Sequence, residues 1–306
     1  MRNTVIDTIT KAAEKEKSIF VVTGDAGFGV LDEFQKKFPE RYLNLGVAEQ
    51  NMISFSAGLA MAGYNVFVYN ITPFVLYRCY EQVRNDLCYQ KLPVTLIGIG
   101  SGVTYAPQGH THYSVEDVGV ARTLPGLVVL SPADPLEAEL CAKYAIKSKK
   151  PAFIRLAKYG EPKIHSEKVK SVESPIVVKK GSGVTVLFHG SVGIEVMQAV
   201  EGLKARPQLI SVPMLTEGDF SGLKKLLKNT RTVITVEEHY VQGGLGSIMA
   251  EWIIENGVDV KLRKLGVKNE YIHKIKNNLG MREHYGISAS EIRRAITSEF
   301  KIVKKP

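Results

Sequence analysis

A single acid, Glu49, lies in the stretch LNLGVAEQNM (43–52), between a run that reads as a buried strand and a small-residue segment, ISFSAGLAMAG (53–63), that reads as a helix. Its ordinary role would be to complement the helix macrodipole from the first turn, a contribution of about 0.3–1 kcal/mol. Its chemical role would be to exchange a proton with something bound at the strand end. A second group of candidates lies in PQGHTH (107–112), where His110 and His112 occupy a glycine-containing loop after the apolar strand LPVTLIGIG. Imidazoles titrate near neutrality, and loops at strand ends carry chemistry out of proportion to their length. A zinc pair is the structural alternative, but a third ligand at a usual spacing is missing. Asp25, in TGDAGFG (23–29), closes another strand at the edge where open α/β sheets keep their ligands. The glycines there, at 24, 27 and 29, run in the reverse of the G-x-G-x-x-G order, which disfavours a dinucleotide site. VQGGLGS (241–247) precedes a helix and could offer backbone amides to an anion, although close strand-to-helix packing explains the same glycines. Phe74 and Tyr77, three residues apart just after a strand, read as core aromatics on local grounds.

The elements that must position these groups alternate. After a helical pattern over 3–15, the short β-rich runs SIFVVTGD, RYLNLGV, NVFVYN, LPVTLIGIG, GLVVLSP and PAFIRLA are separated by helical patterns near 30–39, 49–62, 74–90, 115–123 and 135–148. That order predicts a parallel sheet with helices on both faces. Residues 158–182 are rich in lysine, serine, proline and glycine without a sustained apolar period, so a linker is expected. Strand then helix repeats four times beyond it, from VTVLFHG to SASEIRRAITSEF. The expected fold class is therefore α/β, with two three-layer domains built on parallel sheets, at 1–160 and 183–306, joined by a linker at 161–182.

The bulk numbers agree with two such domains. The chain has 306 residues, 44% of them apolar and 8% aromatic, enough for two cores. No apolar run approaches the roughly 20 residues that span a bilayer, and the start carries acidic residues in an amphipathic pattern, so a cytoplasmic address is expected and a membrane is not. The formal charge of +9 comes from lysines scattered over helix faces without interleaved aromatics, which argues against nucleic acid. Cys79, Cys88 and Cys141 are odd in number, lack metal-ligand spacing and fall inside apolar helical patterns, as structural thiols do.

Four stretches taken together, FPERYLNLGVAEQNMISFSAGLAMAGYNVFVYNITPF, EQVRNDLCYQKLPV, HTHYSVED and PADPLEAEL, resemble the pyrimidine-binding domain of the transketolase and 1-deoxyxylulose-5-phosphate synthase group of thiamine diphosphate enzymes. Residues 183–300 resemble the C-terminal domain that follows it. The resemblance implies that Glu49 hydrogen-bonds the aminopyrimidine ring at N1′ and shares a proton with it, the step that prepares the cofactor's thiazolium carbon. It implies that the Phe74 ring packs on the pyrimidine with Ile71 and Tyr77 beside it, and that Asp25 lies near the thiazolium. His112 would reach the carbonyl or hydroxyl end of a substrate and trade protons there. Arg155, and Arg78 with a register made uncertain by one inserted residue after Phe74, would meet a distal phosphate.

Two positions depart from the transketolase pattern. Gln108 stands where an aspartate would contact a donor hydroxyl, and Ile99-Gly100 where a phosphate-binding histidine is usual, so the substrate's hydroxyl pattern or terminal group is expected to differ. The family anchors the diphosphate and magnesium through a separate domain carrying G-D-G and a downstream asparagine. Gly24-Asp25-Ala26 and Asn51 mimic that spacing but fall within the pyrimidine-domain resemblance, and position 26 is alanine. A second polypeptide is therefore expected to supply the diphosphate domain and the magnesium ligands, in a heterotetramer of two large and two small subunits. The implied activity is transfer of a two-carbon ketol unit from a ketose to an aldose, on sugars or sugar phosphates. Alternatives are a synthase-like condensation of pyruvate with an aldehyde, the β subunit of a 2-oxoacid dehydrogenase, and a non-catalytic partner subunit.

Overall fold

The computed structural model describes residues 1–158 and 160–302. In the first domain β1 (Ile19–Thr23), β2 (Tyr42–Asn44), β3 (Asn65–Ile71), β4 (Val94–Ile99), β5 (Val128–Leu130) and β6 (Ala152–Leu156) form one parallel sheet in the order β2-β1-β3-β4-β6-β5. Successive side chains of a strand face opposite sides, and the apolar residues here sort accordingly. Phe20, Val22, Val66, Val68 and Leu96 enter one core; Ile19, Val21, Phe67, Tyr69 and Ile97 enter another. The helix Glu49–Met61 covers the first face with Met52, Ile53, Ala57 and Ala60. Arg2–Ala13 and Pro135–Ser148 cover the second with Val5, Ile6 and Ile9 and with Ala138, Cys141 and Ala142.

The second domain has β7 (Ile176–Lys179), β8 (Gly183–Phe188), β9 (Gln208–Ser211), β10 (Thr230–Tyr240) and β11 (Lys261–Val267), ordered β11-β10-β8-β9-β7. Its pairings are parallel except at the edge, where β7 runs antiparallel to β9. This strand lies inside the span expected to be linker. Its apolar run, Ile176-Val177-Val178, is too short and too hemmed in by proline and lysine to stand out in the sequence, and it stays only half-buried.

The helical pattern near 74–90 also resolves differently. Pro73–Tyr77 and Val83–Cys88 are π-helical, joined through a single α-helical turn, Tyr80–Gln82. A π turn takes in one residue more than an α turn and is found frequently at functional sites. Val75, Leu76, Val83 and Leu87 of this stretch lie in the core.

The domains share a core and hydrogen bonds. The first core continues from Val118 and Leu124 to Leu187, Ile210 and Leu245 of the second domain. The Ser131 amide donates to the Pro213 carbonyl at 2.7 Å, and the Tyr240 amide to the Val115 carbonyl at 2.6 Å. Residues 268–277 leave β11 without regular structure and cross the loop that holds His110 and His112. There the Tyr113 hydroxyl donates to the Lys274 carbonyl at 3.2 Å, and Tyr271 packs edge-on against His110, centroids 5.5 Å apart.

Candidate functional site

The chain passes from β1 to β2 on one side and then to β3 on the other, so the strand order reverses between β1 and β3. Crevices at such reversals, outside the carboxyl ends of the strands, are where open α/β sheets bind ligands. Asp25 follows β1 in the left-handed region at φ 53°, its amide donating to Asn44 Oδ1 at 2.9 Å, and its side chain is exposed. Asn70 ties the neighbouring strand ends together, donating from Nδ2 to the Gly24 carbonyl at 3.2 Å, while Ile71 closes β3 half-buried. Glu49 opens its helix with a side chain only 5% exposed.

Phe74 and His112 meet above this edge, their rings 5.4 Å apart in an edge-to-face arrangement. Nδ1 of His112 is 2.9 Å from the Thr111 hydroxyl, and Tyr105 flanks the ring at 5.9 Å. Nε2 has no hydrogen-bond partner among the described residues. Gln108 is exposed in the same loop. The Tyr77 hydroxyl lies 3.2 Å from Ser114 Oγ, and burial together with the Asp117 and Glu116 carboxylates pushes it well above its ordinary range. It is a fixed, neutral phenol.

Two arginines expected to meet a substrate phosphate are otherwise engaged. Arg155 lies within β6, not at its end, and is 1% exposed. Its Nε donates to Asp117 at 2.7 Å, and its Nη2 to the carbonyls of Ser114 at 3.2 Å and Glu238 at 2.7 Å. The assignment of Arg155 to a phosphate is corrected accordingly: this arginine pins the two domains together. Arg78 is half-exposed, but its Nη1 donates to Glu49 at 2.8 Å and its guanidinium carbon lies 4.7 Å over the Phe74 ring. The cation that sequence reading missed is Lys158, just past the end of β6, with Nζ 4.5 Å over the Tyr105 ring that flanks His112. Its position at the strand's carboxyl end, where Arg155 is mid-strand, was the signal available.

Behind the edge runs a buried polar network that includes the glycine-rich stretch. Glu237 accepts from the Leu245 and Gly246 amides at 2.7 and 2.8 Å, so the protein's own carboxylate fills the helix N-terminus that could have taken an anion. A β-carbon on Gly244 would come 2.0 Å from that carboxylate. Gly244→Ala is expected to lower stability by roughly 1–3 kcal/mol, read from urea unfolding. Glu238 is held below the usual carboxylate range: burial alone would raise it, but the charge of Arg282, hydrogen-bonded at 2.7 Å, outweighs that.

His189 is fully buried between the domains, Nδ1 on the Ser131 hydroxyl at 2.8 Å and Nε2 unsatisfied among the described residues. Burial, reinforced by the Arg155 charge, lowers it from 6.5 to about 3. The unfolded chain therefore binds the proton first, and stability falls as pH drops below 6.5 towards about 3. At about pH 4.5 this group should remove roughly 2–3 kcal/mol. Urea midpoints measured across that window should flatten in His189→Asn.

Among the described residues no group of three or more His, Cys, Asp or Glu could hold a metal ion, and no helix is long and apolar enough to cross a membrane. Cys79, Cys88 and Cys141 are free and buried, and burial raises Cys79 to about 12 and Cys88 to about 11.

Glu49, Arg78, Phe74 and His112, from separate elements, thus touch one another in a row, and the class the architecture defines is a two-domain α/β protein with a topological switch point in its first sheet. Residues 1–160 match the family described as Transketolase, pyrimidine binding domain, and residues 175–292 match Transketolase, C-terminal domain. The chain belongs to the transketolase family. It is 32% identical over 297 residues to one of the subunits of apulose-4-phosphate transketolase from Actinobacillus succinogenes, covering 95% of this chain and 96% of that one. A 6-deoxy-6-sulfo-D-fructose transketolase subunit from a Clostridium species is 30% identical, covering 96% and 92%. The 1-deoxy-D-xylulose-5-phosphate synthase of Heliobacterium modesticaldum is also 30% identical, but only 45% of its length is covered. Among solved structures, a split-gene transketolase in an inactive beta4 tetramer superposes with a TM-score of 0.87 at 28% identity, covering 98% of this chain and 97% of that one. By length and coverage, this chain corresponds to the small subunit of a split transketolase.

Proposed function

We propose that this chain supplies the pyrimidine side of a thiamine diphosphate site and, with a large subunit, transfers a two-carbon ketol unit from a ketose to an aldose. The observation that carries this reading is the convergence of Glu49, Phe74 and His112: a buried carboxylate, a flat apolar face and an available imidazole nitrogen on one edge. The residues fit the cofactor's flat ring, because a planar group, the Arg78 guanidinium, already lies over the Phe74 face while hydrogen-bonding Glu49. When bound, the cofactor would supply the nucleophilic carbon and the electron sink. Glu49 would hold a proton at the ring nitrogen, Phe74 with Ile71 and Tyr77 would seat the ring, and Asp25 would lie towards the thiazolium. His112 would move protons at the substrate oxygen through Nε2.

Magnesium and the diphosphate would be held by the partner. Support comes from the rim: Phe28 and Val47, on the loops that carry Asp25 and Glu49, are 79% and 75% exposed, an apolar pair suited to closure by another chain. Assembly as a heterotetramer belongs to the same reading, as does a cytoplasmic, reducing setting that would keep the buried thiols free. With Arg155 withdrawn, Lys158 is the cation beside His112 for the anionic end of a sugar phosphate, and the positive net charge favours such substrates. Gln108 would set the hydroxyl pattern accepted.

The test is reconstitution. The isolated chain with cofactor and magnesium should show no ketol transfer, and adding a large subunit should restore it; robust turnover by the isolated chain overturns the split reading. Consumption of pyruvate with release of carbon dioxide would indicate the synthase-like condensation instead. Unchanged activity in Glu49→Ala would indicate a non-catalytic partner.

A further inference from the structure

We propose that Arg78 is a removable plug: its guanidinium takes the seat of the cofactor's ring, and loading exchanges one planar hydrogen-bonding group for another. This inference rests on the cofactor reading above. Two contacts define the seat, and Arg78 makes both. Its Nη1 is 2.8 Å from Glu49 Oε2, and its guanidinium carbon is 4.7 Å over the Phe74 ring. A second flat group cannot lie on that face and reach that carboxylate while the guanidinium stays. The guanidinium also gives buried Glu49 a counter-charge.

The plug is built to leave. The Arg78 backbone is fixed, its amide donating to the Pro73 carbonyl at 3.1 Å and its carbonyl accepting from Gln50 Nε2 at 3.3 Å. Its side chain is 47% exposed, so swinging it into water breaks one ion pair and one stacking contact without disturbing the core. The π-helical stretch Pro73–Tyr77 places the arginine four residues after Phe74, where it can fold back over the ring. Contacts of these two kinds are individually weak, so the plug can satisfy Glu49 and Phe74 and still yield to a ligand that makes more of them.

The experiment is thiamine diphosphate binding to the reconstituted complex with magnesium, measured by isothermal titration and stopped-flow fluorescence for the native protein, Arg78→Ala and Arg78→Lys. Release of the plug predicts a dissociation constant about three- to tenfold lower in Arg78→Ala. Arg78→Lys, which keeps the charge but not the planar fork, should fall between. The observed loading rate should saturate with cofactor concentration in the native complex and stay linear in Arg78→Ala. Unchanged or weaker binding in Arg78→Ala, or saturation that persists, overturns the plug while leaving the cofactor reading intact. No binding by the native complex overturns both.

Discussion

Replacing Glu49 with alanine is expected to lower ketol transfer by the assembled enzyme by about two to four orders of magnitude, the range lost when a positioned proton-exchange group is removed. The fold should barely register the change. Glu49 contributes to its helix from the first turn only, and Arg78, its one side-chain hydrogen-bond partner among the described residues, is half-exposed and can turn to water. Circular dichroism, the unfolding midpoint and association with the large subunit should stay close to native. Glu49→Gln keeps a hydrogen-bonding end but cannot share a proton, and should retain more cofactor affinity than alanine while remaining nearly inactive. An intact rate in both variants would show that the carboxylate serves only the helix end.

The second large effect concerns stability. Arg155→Met should destabilise the chain by roughly 3–5 kcal/mol, because Asp117 is left as an uncompensated buried charge and two carbonyls lose their donor. Asp117 is wholly buried, and among the described residues its other oxygen accepts only the Val118 amide, at 2.9 Å, which cannot replace a guanidinium. Removing the charge as well, in Arg155→Met with Asp117→Leu, should recover much of the loss. Urea unfolding of the single and double variants reads the coupling directly. If Arg155 instead met a substrate phosphate, the single variant would unfold near the native midpoint and lose substrate affinity.

Much of the architecture was legible because the two periodicities are clean. Val21, Val22, Phe67 and Val68 alternate between cores as a parallel strand must, and Asp134, Pro135 and Glu137 announce a helix start. There Asp134 Oδ1 accepts the Glu137 amide at 2.9 Å and the Glu137 carboxylate accepts the Ala133 amide at 2.7 Å, a reciprocal cap readable from DPLE. What escaped lacked a period. The edge strand β7 is four residues among prolines and lysines, and the helix Asn278–His284 follows a polar run with only Asn277 as its cap. Arg155 was misplaced for a different reason. A cation in an apolar strand looks like a ligand contact until its neighbours are known, and those neighbours, Asp117 and the Glu238 carbonyl, come from elements 38 and 83 residues away. The pairing of Arg78 with Glu49, across 29 residues, was hidden likewise.

The π-helical geometry of the Pro73–Tyr77 turn also bears on any attempt to transplant this segment. Each residue in an α-helix rotates the chain by about 100°, so trimming one position between Phe74 and Arg78 would either wind the following core side chains out of their sockets or aim the guanidinium away from the crevice. A chimera that replaces this stretch with an α-helical one a residue shorter should therefore fold only if the whole span from Pro73 to Cys88 travels as a unit.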